Sequence, residues 1–169
     1  MFENFDVGTL LMIVLAAVIG LYLYRLDKKE KSDPLAALYK QYGTLSAETL
    51  TATSDEELVR AVAANVMAKA DHRHPDVYSL IPLLSHGQVA VYSVWLICHE
   101  LEVADGESLL RSPSGRFLEA AKDGFSLIGA AACAAAEDET ALREAIAAEQ
   151  PLALCVTYIR DNPDEFVDL

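Results

Sequence analysis

Two short stretches hold the residue types that do chemistry. In "DHRHPD", residues 71–76, His72 and His74 stand between Asp71 and Asp76. Imidazoles and carboxylates are ligands for a divalent transition metal, but no second ligand cluster lies at a defined spacing from them. No metal site is therefore assigned, and His72, His74 and Asp76 are the candidates one would use. The competing reading is a polar helix end before Pro75, with histidines at the negative end of the helix dipole. In "CHELE", residues 98–102, Cys98 and His99 are the types of a nucleophile and its base. Helix neighbours project about 100° apart, however, and do not face each other. Glu100 and Glu102 diverge as well. His99 follows Trp95 by four residues, so it is expected to pack on the indole. His86, before Gly87, reads as a turn or cap residue. The chain has no phosphate-cradling glycine loop, G-x-S-x-G, H-E-x-x-H or C-x-x-C. No catalytic residue and no cofactor are expected.

The elements that would position these residues all read as helix. "SDPLAALYKQYG" offers Asp33 as N-cap, Pro34 in the first turn and Gly43 as stop, with Leu35, Leu38, Tyr39 and Tyr42 on one face. "TLSAETLTAT" reads as a polar spacer. "SDEELVRAVAANVMAKAD" is a helix whose Ser54 and Glu57 fit a capping box, with Leu58, Val62, Val66 and Met67 as its stripe. A short helix interrupted by Pro82 follows. "QVAVYSVWLICHELEV" is apolar nearly all round and should be the central buried helix. "ADGESLLRSPSG" is a loop. "RFLEAAKDGFSLIGAAACAAAE" is helical, with Gly129 ending one helix or allowing close packing. "DETALREAIAAE" and "QPLALCVTYIRDNP" complete the set, and the acidic "DEFVDL" reads as a loose tail. Period-2 alternation is short everywhere, so no strand is expected.

The first 24 residues are of another kind. Val7–Tyr24 is an uncharged run of 18 residues. At about 1.5 Å per residue it spans about 27 Å, close to a bilayer's hydrocarbon thickness. The acidic front, with Glu3 and Asp6, and the exit into "LYLYRLDKK" do not suit a cleaved leader. Tyr22 and Tyr24 sit where an aromatic belt would lie, and Arg25, Lys28, Lys29 and Lys31 follow the run with no basic residue before it. That asymmetry places the N-terminus outside and the C-terminal side in the cytoplasm. Ala16 and Gly20 form a small-xxx-small pair that would admit another helix.

Charge and cysteines fit this placement. Of 26 acidic and 13 basic residues, four of each lie in residues 1–31, which leaves 22 against 9 from Ser32 onward and a net −13 there. Such a surface disfavours nucleic acid and anionic lipid and favours a basic partner. The three cysteines, Cys98, Cys133 and Cys155, are an odd number at irregular spacing. They form no disulfide framework and read as small core hydrophobes in a reducing compartment.

The order of features from about Leu58 to Ile146 carries a resemblance. "LSHGQVAVYSVWLICHELEVADG", a Ser-Gly turn and "FLEAAKDGFSLIGAAACAAA" are similar to a family of small all-helical domains, mostly of unknown function, that includes bacterial DNA-mimic proteins. The matching positions are Gly87, Tyr92, Trp95, Glu102, Gly106 and Gly129. The family's Asn-Gly-Gly-Phe turn is not preserved; "ADGESLLRS" stands in its place. The resemblance implies an all-helical fold. It also implies an activity in which acidic side chains imitate phosphates before a basic DNA-binding protein.

The expected protein is all-α, a single N-terminal transmembrane helix followed by a compact soluble helical domain. Residues 1–6 form an extracytoplasmic tail and 7–24 the anchor. Residues 25–53 form a basic juxtamembrane segment, short helix and spacer, and 54–169 the domain. The expected function is a membrane-anchored, cytosol-facing interaction module or complex subunit. Its partners are the bilayer through residues 7–24 and a protein or a second copy, without direct nucleic-acid binding. The alternatives are a small metal-dependent or hydrolytic enzyme using the His72, His74 and His99 region, and a DNA-mimic-like binder.

Overall fold

A computed structural model describes residues 34–103 and 109–168. The expected anchor at 7–24, its basic exit, the Asp33 cap and Gly106 lie outside the described residues. Among the described residues every regular element is helical and none is a strand. None of these helices is long and apolar enough to cross a membrane.

The chain divides between Ala37 and Leu38, and Leu38–Leu169 form one compact unit. Helix α1 (Pro34–Tyr42) enters this unit with its second half. The unit therefore begins earlier than residue 54, because Tyr42, Leu45 and Leu50 are buried in its core. The supposed polar spacer is a helix, α2 (Ala47–Ala52), one of whose free N–H groups, that of Thr49, is met by the Ser46 side chain at 3.1 Å. Its apolar Leu50 packs inward while the threonines face solvent or bond backwards along the helix, as Thr51 does to the Ala47 carbonyl.

Helix α3 (Asp55–Ala68) has three acids in its first turn, which suits the helix dipole. The expected Ser54–Glu57 capping box does not form. The Glu57 carboxylate instead accepts from the Tyr42 hydroxyl at 3.2 Å, tying α3 to α1. Of the expected stripe Leu58, Val62 and Val66 are buried and Met67 half-buried, and Val59, Ala61, Ala63 and Ala64 are buried as well, so the middle of α3 is enclosed. A short helix, α4 (Val77–Leu80), and a 3-10 turn (Ile81–Leu83) carrying Pro82 lead to α5. Helix α5 (His86–Val103) is buried on most faces and packs on both α3 and α6. The expected loop before α6 contains two 3-10 turns, Leu109–Arg111 and Pro113–Phe117.

Helix α6 (Leu118–Leu127) ends at Gly129, where φ is +84°. The Gly129 N–H bonds to the Ser126 carbonyl (3.2 Å) and the Ala130 N–H to the Phe125 carbonyl (2.8 Å), which is a Schellman ending. Helices α7 (Ala131–Ala135), α8 (Glu139–Glu149) and α9 (Pro151–Asp161) follow. Glu149 on α8 accepts from the Ala132 and Cys133 N–H groups (3.0 and 2.9 Å) and so closes the start of α7. Arg160 on α9 reaches the Leu50 and Thr53 carbonyls and the Asp55 carboxylate (2.7 Å), joining the end of α2 to the start of α3.

The C-terminal tail is docked, not loose. Phe166 is fully buried and meets Tyr158 edge-on, with ring centroids 6.2 Å apart. Glu165 accepts from the Gly87 N–H (2.6 Å) and the Tyr158 hydroxyl (2.7 Å). Asp168 accepts from the Leu45 N–H and the Asn65 amide, each at 2.7 Å, and pairs with Lys69 at 2.7 Å. Its own N–H returns a bond to the Leu45 carbonyl at 2.9 Å. The apolar residues within an acidic segment bury themselves, and the acids find donors around the rim.

Burial works against the Asp168 charge, yet Lys69, the Leu45 N–H and the Asn65 amide together hold its pKa below the usual carboxylate range. An acid whose folded pKa is depressed adds stability above its unfolded value, and that stability is lost as pH falls through the folded value. Asp168→Asn should therefore be less stable than the parent at neutral pH. The gap should close below the unfolded value of about pH 4. Urea midpoints measured from neutral to acid pH would check this; a gap constant across that range would contradict it.

Candidate functional site

The "DHRHPD" stretch folds on itself. The Asp71 carboxylate accepts from the Arg73 and His74 N–H groups, both at 2.8 Å, and its N–H bonds to the His74 carbonyl at 3.0 Å. The His74 and Arg73 N–H groups hold the Asp71 pKa below its ordinary value. Asp76 caps α4 through the Ser79 N–H (2.9 Å) and pairs with Arg116 (3.1 Å). His72 is exposed. The acids thus serve the turn and the cap. Among the described residues no three His, Cys, Asp or Glu side chains are grouped so as to hold a metal ion.

His99 lies elsewhere. It shares a hollow with Asp55 and Glu56 at the N-terminal end of α3, while His72 and His74 follow the C-terminal end of that helix. Fourteen residues of helix separate these ends by about 20 Å. His72, His74 and His99 therefore do not form one site. His99 instead stacks on Trp95, with ring centroids 5.5 Å apart and planes 7° from parallel.

The start of α5 shows which residues do the capping. Ser85 Oγ accepts from the Gln88 N–H (3.1 Å), and Gln88 Oε1 accepts from the Ser85 N–H (3.2 Å). This reciprocal box makes Ser85 the cap, not His86. Gly87 lies beneath Glu165 and Phe166, where a Cβ would stand 2.6 Å from the Glu165 carboxylate and 2.9 Å from the Phe166 ring. Tyr92 packs edge-on against Phe117 at 5.6 Å, and burial pushes its pKa up to about 12. Gly87 and Tyr92 thus serve packing. Trp95 and Glu102 are not confined to the core.

Two adjoining hollows flank the C-terminal half of α5. The first, about 500 Å3, lies against the α8–α9 junction and is walled by Leu101, Ile146, Pro151 and Leu152. The second, about 510 Å3, lies between α3, α5 and α9 and is walled by Val59, Trp95, His99 and Val156, with Asp55, Glu56 and Arg60 at its edge. Glu102, Leu152 and Ala153 line both. Both volumes fall in the range of ordinary binding pockets. Gln150 adopts a left-handed φ of 48°, which lets α8 turn abruptly into α9 and sets Pro151 at the start of α9. Leu152 stands on the dividing wall and is 39% exposed.

Fixed groups join α8 to the end of α5 beside the first hollow. Arg143 on α8 donates to the Leu101 carbonyl at the end of α5 and to Glu139 at 2.9 Å. Glu139 in turn accepts from the Leu109 N–H at 3.0 Å. Trp95, His99 and Glu102 stand out in the sequence as candidates, whereas Leu152 and Arg143 do not. The i, i+4 spacing of Leu152 and Val156 marks one face of α9, yet nothing local says which helix that face meets.

The three thiols do not supply chemistry. Cys98, Cys133 and Cys155 are all buried and unpaired. Burial raises each pKa, to about 12 for Cys98, where Glu102 adds to it, and to about 12 for Cys133, where Glu149 adds to it. Since the thiolate is the reactive form, an aromatic disulfide reagent at neutral pH should release no colour from the folded chain over minutes. It should count three thiols in denaturant. Rapid reaction of one thiol in the folded state would contradict the inert reading.

In comparisons with known proteins, no family model matches this chain, and neither does any curated protein or any solved structure.

Proposed function

We propose that this chain is a membrane-tethered, cytosol-facing acidic helical domain that works as a protein-interaction module or a subunit of a complex. The observation that carries this reading is a pair of adjoining hollows that share an exposed leucine, the first mostly apolar and the second with an apolar wall of Val59, Trp95 and Val156 under a charged edge. A half-buried tryptophan beside a ready cavity is the residue type that anchors interfaces, and the exposed leucine adds apolar surface next to it. The tether is supported by the uncharged run at 7–24 and its basic exit. The excess of 22 acids over 9 bases from Ser32 onward supports a basic protein as partner. The likeness to the family with DNA mimics is compatible with such a partner, although a tether suits a target that comes to the membrane.

The test is in two steps. The tagged full chain should stay with membranes through an alkaline carbonate wash, and deletion of residues 7–24 should release it. Mild detergent should then recover it with one stoichiometric partner, or with a second tagged copy of itself. Release of the intact chain by carbonate would overturn the tether. Recovery of the chain alone and monomeric, across several detergents and at low salt, would overturn the module.

A further inference from the structure

We infer that the two hollows beside α5 receive one cationic amphipathic helix of a partner protein, with an apolar anchor in each hollow and a Lys or Arg between them facing Glu102. This deepens the interaction-module reading and rests on it. The geometry points to a single occupant because the hollows share a wall, formed by Leu152 and Ala153, and share one ionisable residue, Glu102. An amphipathic helix presents apolar side chains one or two turns apart on one face, about 5–10 Å. Two adjoining hollows, each with an apolar wall, that share one acid are the complement of that face.

Charge decides between partners. Arg143 is engaged by Glu139 and the Leu101 carbonyl, and Arg160 by Asp55. Of the two arginines that line the hollows, Arg143 is therefore already matched, whereas Arg60 makes no ion pair among the described residues. Glu56 and Glu102 make no ion pair among the described residues. The region from Ser32 onward is strongly acidic as a whole, so an anionic helix would be repelled during approach and a cationic one steered in.

The chain contains one tryptophan, and it lines the second hollow. Trp95 emission therefore reports occupancy. The full chain in uncharged maltoside micelles would be titrated with a 14-residue helical peptide of Lys and Ala carrying two Leu seven positions apart. A counterpart with every Lys replaced by Glu, and one with both Leu replaced by Ser, serve as controls. The Lys/Leu peptide should give a saturable shift of Trp95 emission, and neither control should. Leu152→Lys and Glu102→Gln should each weaken binding, the former by about tenfold or more. Leu83→Lys should leave it unchanged, since Leu83 is 66% exposed and lines neither hollow. Circular dichroism confirms that each variant is folded.

Equal binding of the Glu peptide, or unchanged titrations for both Leu152→Lys and Glu102→Gln, would overturn the proposal. So would the absence of any saturable shift with the Lys/Leu peptide. If a stoichiometric partner were still recovered from membranes, these failures would leave the module reading standing and remove only the groove.

Discussion

Phe166→Ala should destabilise the helical domain by about 3–5 kcal/mol, the cost of removing a buried aromatic ring from a core that collapses only partly. The ring is fully enclosed. It touches Tyr158 edge-on and lies against the start of α5, where a Cβ on Gly87 would come within 2.9 Å of it. Its neighbours in sequence hold it there: Glu165 bonds Gly87 and Tyr158, and Asp168 bonds Leu45, Asn65 and Lys69. Losing the ring leaves these polar groups to hold the tail without its apolar centre. The thermal midpoint should fall by at least about 10 °C. Phe166→Leu, which keeps most of the volume, should cost much less. A midpoint within a degree or two of the parent would mean that the tail does not belong to the core.

Gly124→Val should cost about 3 kcal/mol or more, through overpacking. Gly124 is where α6 meets α5. A Cβ there would lie 2.9 Å from the Ala90 carbonyl oxygen, 3.1 Å from Ala90 Cα and 3.0 Å from Val94 Cγ2. Two of these three atoms are backbone, so relief requires moving a helix instead of turning a side chain. Gly124→Ala should also destabilise, despite the gain of about 1 kcal/mol in helix propensity. Gly129→Ala is a useful contrast. Its Cβ would meet nothing within 4 Å, and only the φ of +84° opposes it, a cost of about 1–2 kcal/mol. Thermal unfolding of the three variants should rank Gly124→Val as the least stable. A Gly124→Ala protein more stable than the parent would show that α5 and α6 are free to move apart at this contact.

Much of the fold was legible because it is local. Helices α3, α5, α6, α8 and α9 announce themselves through apolar spacing, first-turn acids and Pro151, and Gly129 marks a stop because a left-handed residue is needed there. The misreadings share a cause, which is competition between local and distant partners. Ser54 and Glu57 have the spacing of a capping box, but the Tyr42 hydroxyl takes the glutamate. Ser85 and Gln88 have the same spacing and do form one. The tail looks like solvated acid by composition, yet Asp168 finds its N–H donor at Leu45, 123 positions away. The site followed the same pattern. The Trp95–His99 stack was readable as an i, i+4 pair on one helix. The hollows were not, because they arise where α9 crosses α5, a pairing that no local signal encodes.

If a protein partner sits on the face around Leu152, site-specific photo-crosslinking in membranes will capture it there. A photoreactive side chain would replace Leu152 in the full chain, and in a separate variant Leu83, an exposed apolar residue outside both hollows. Irradiation should give one adduct of discrete mass from position 152 and none from position 83, with the adduct abolished by excess Lys/Leu peptide. No adduct at 152, or equal adducts at both positions, would mean that no partner occupies this face.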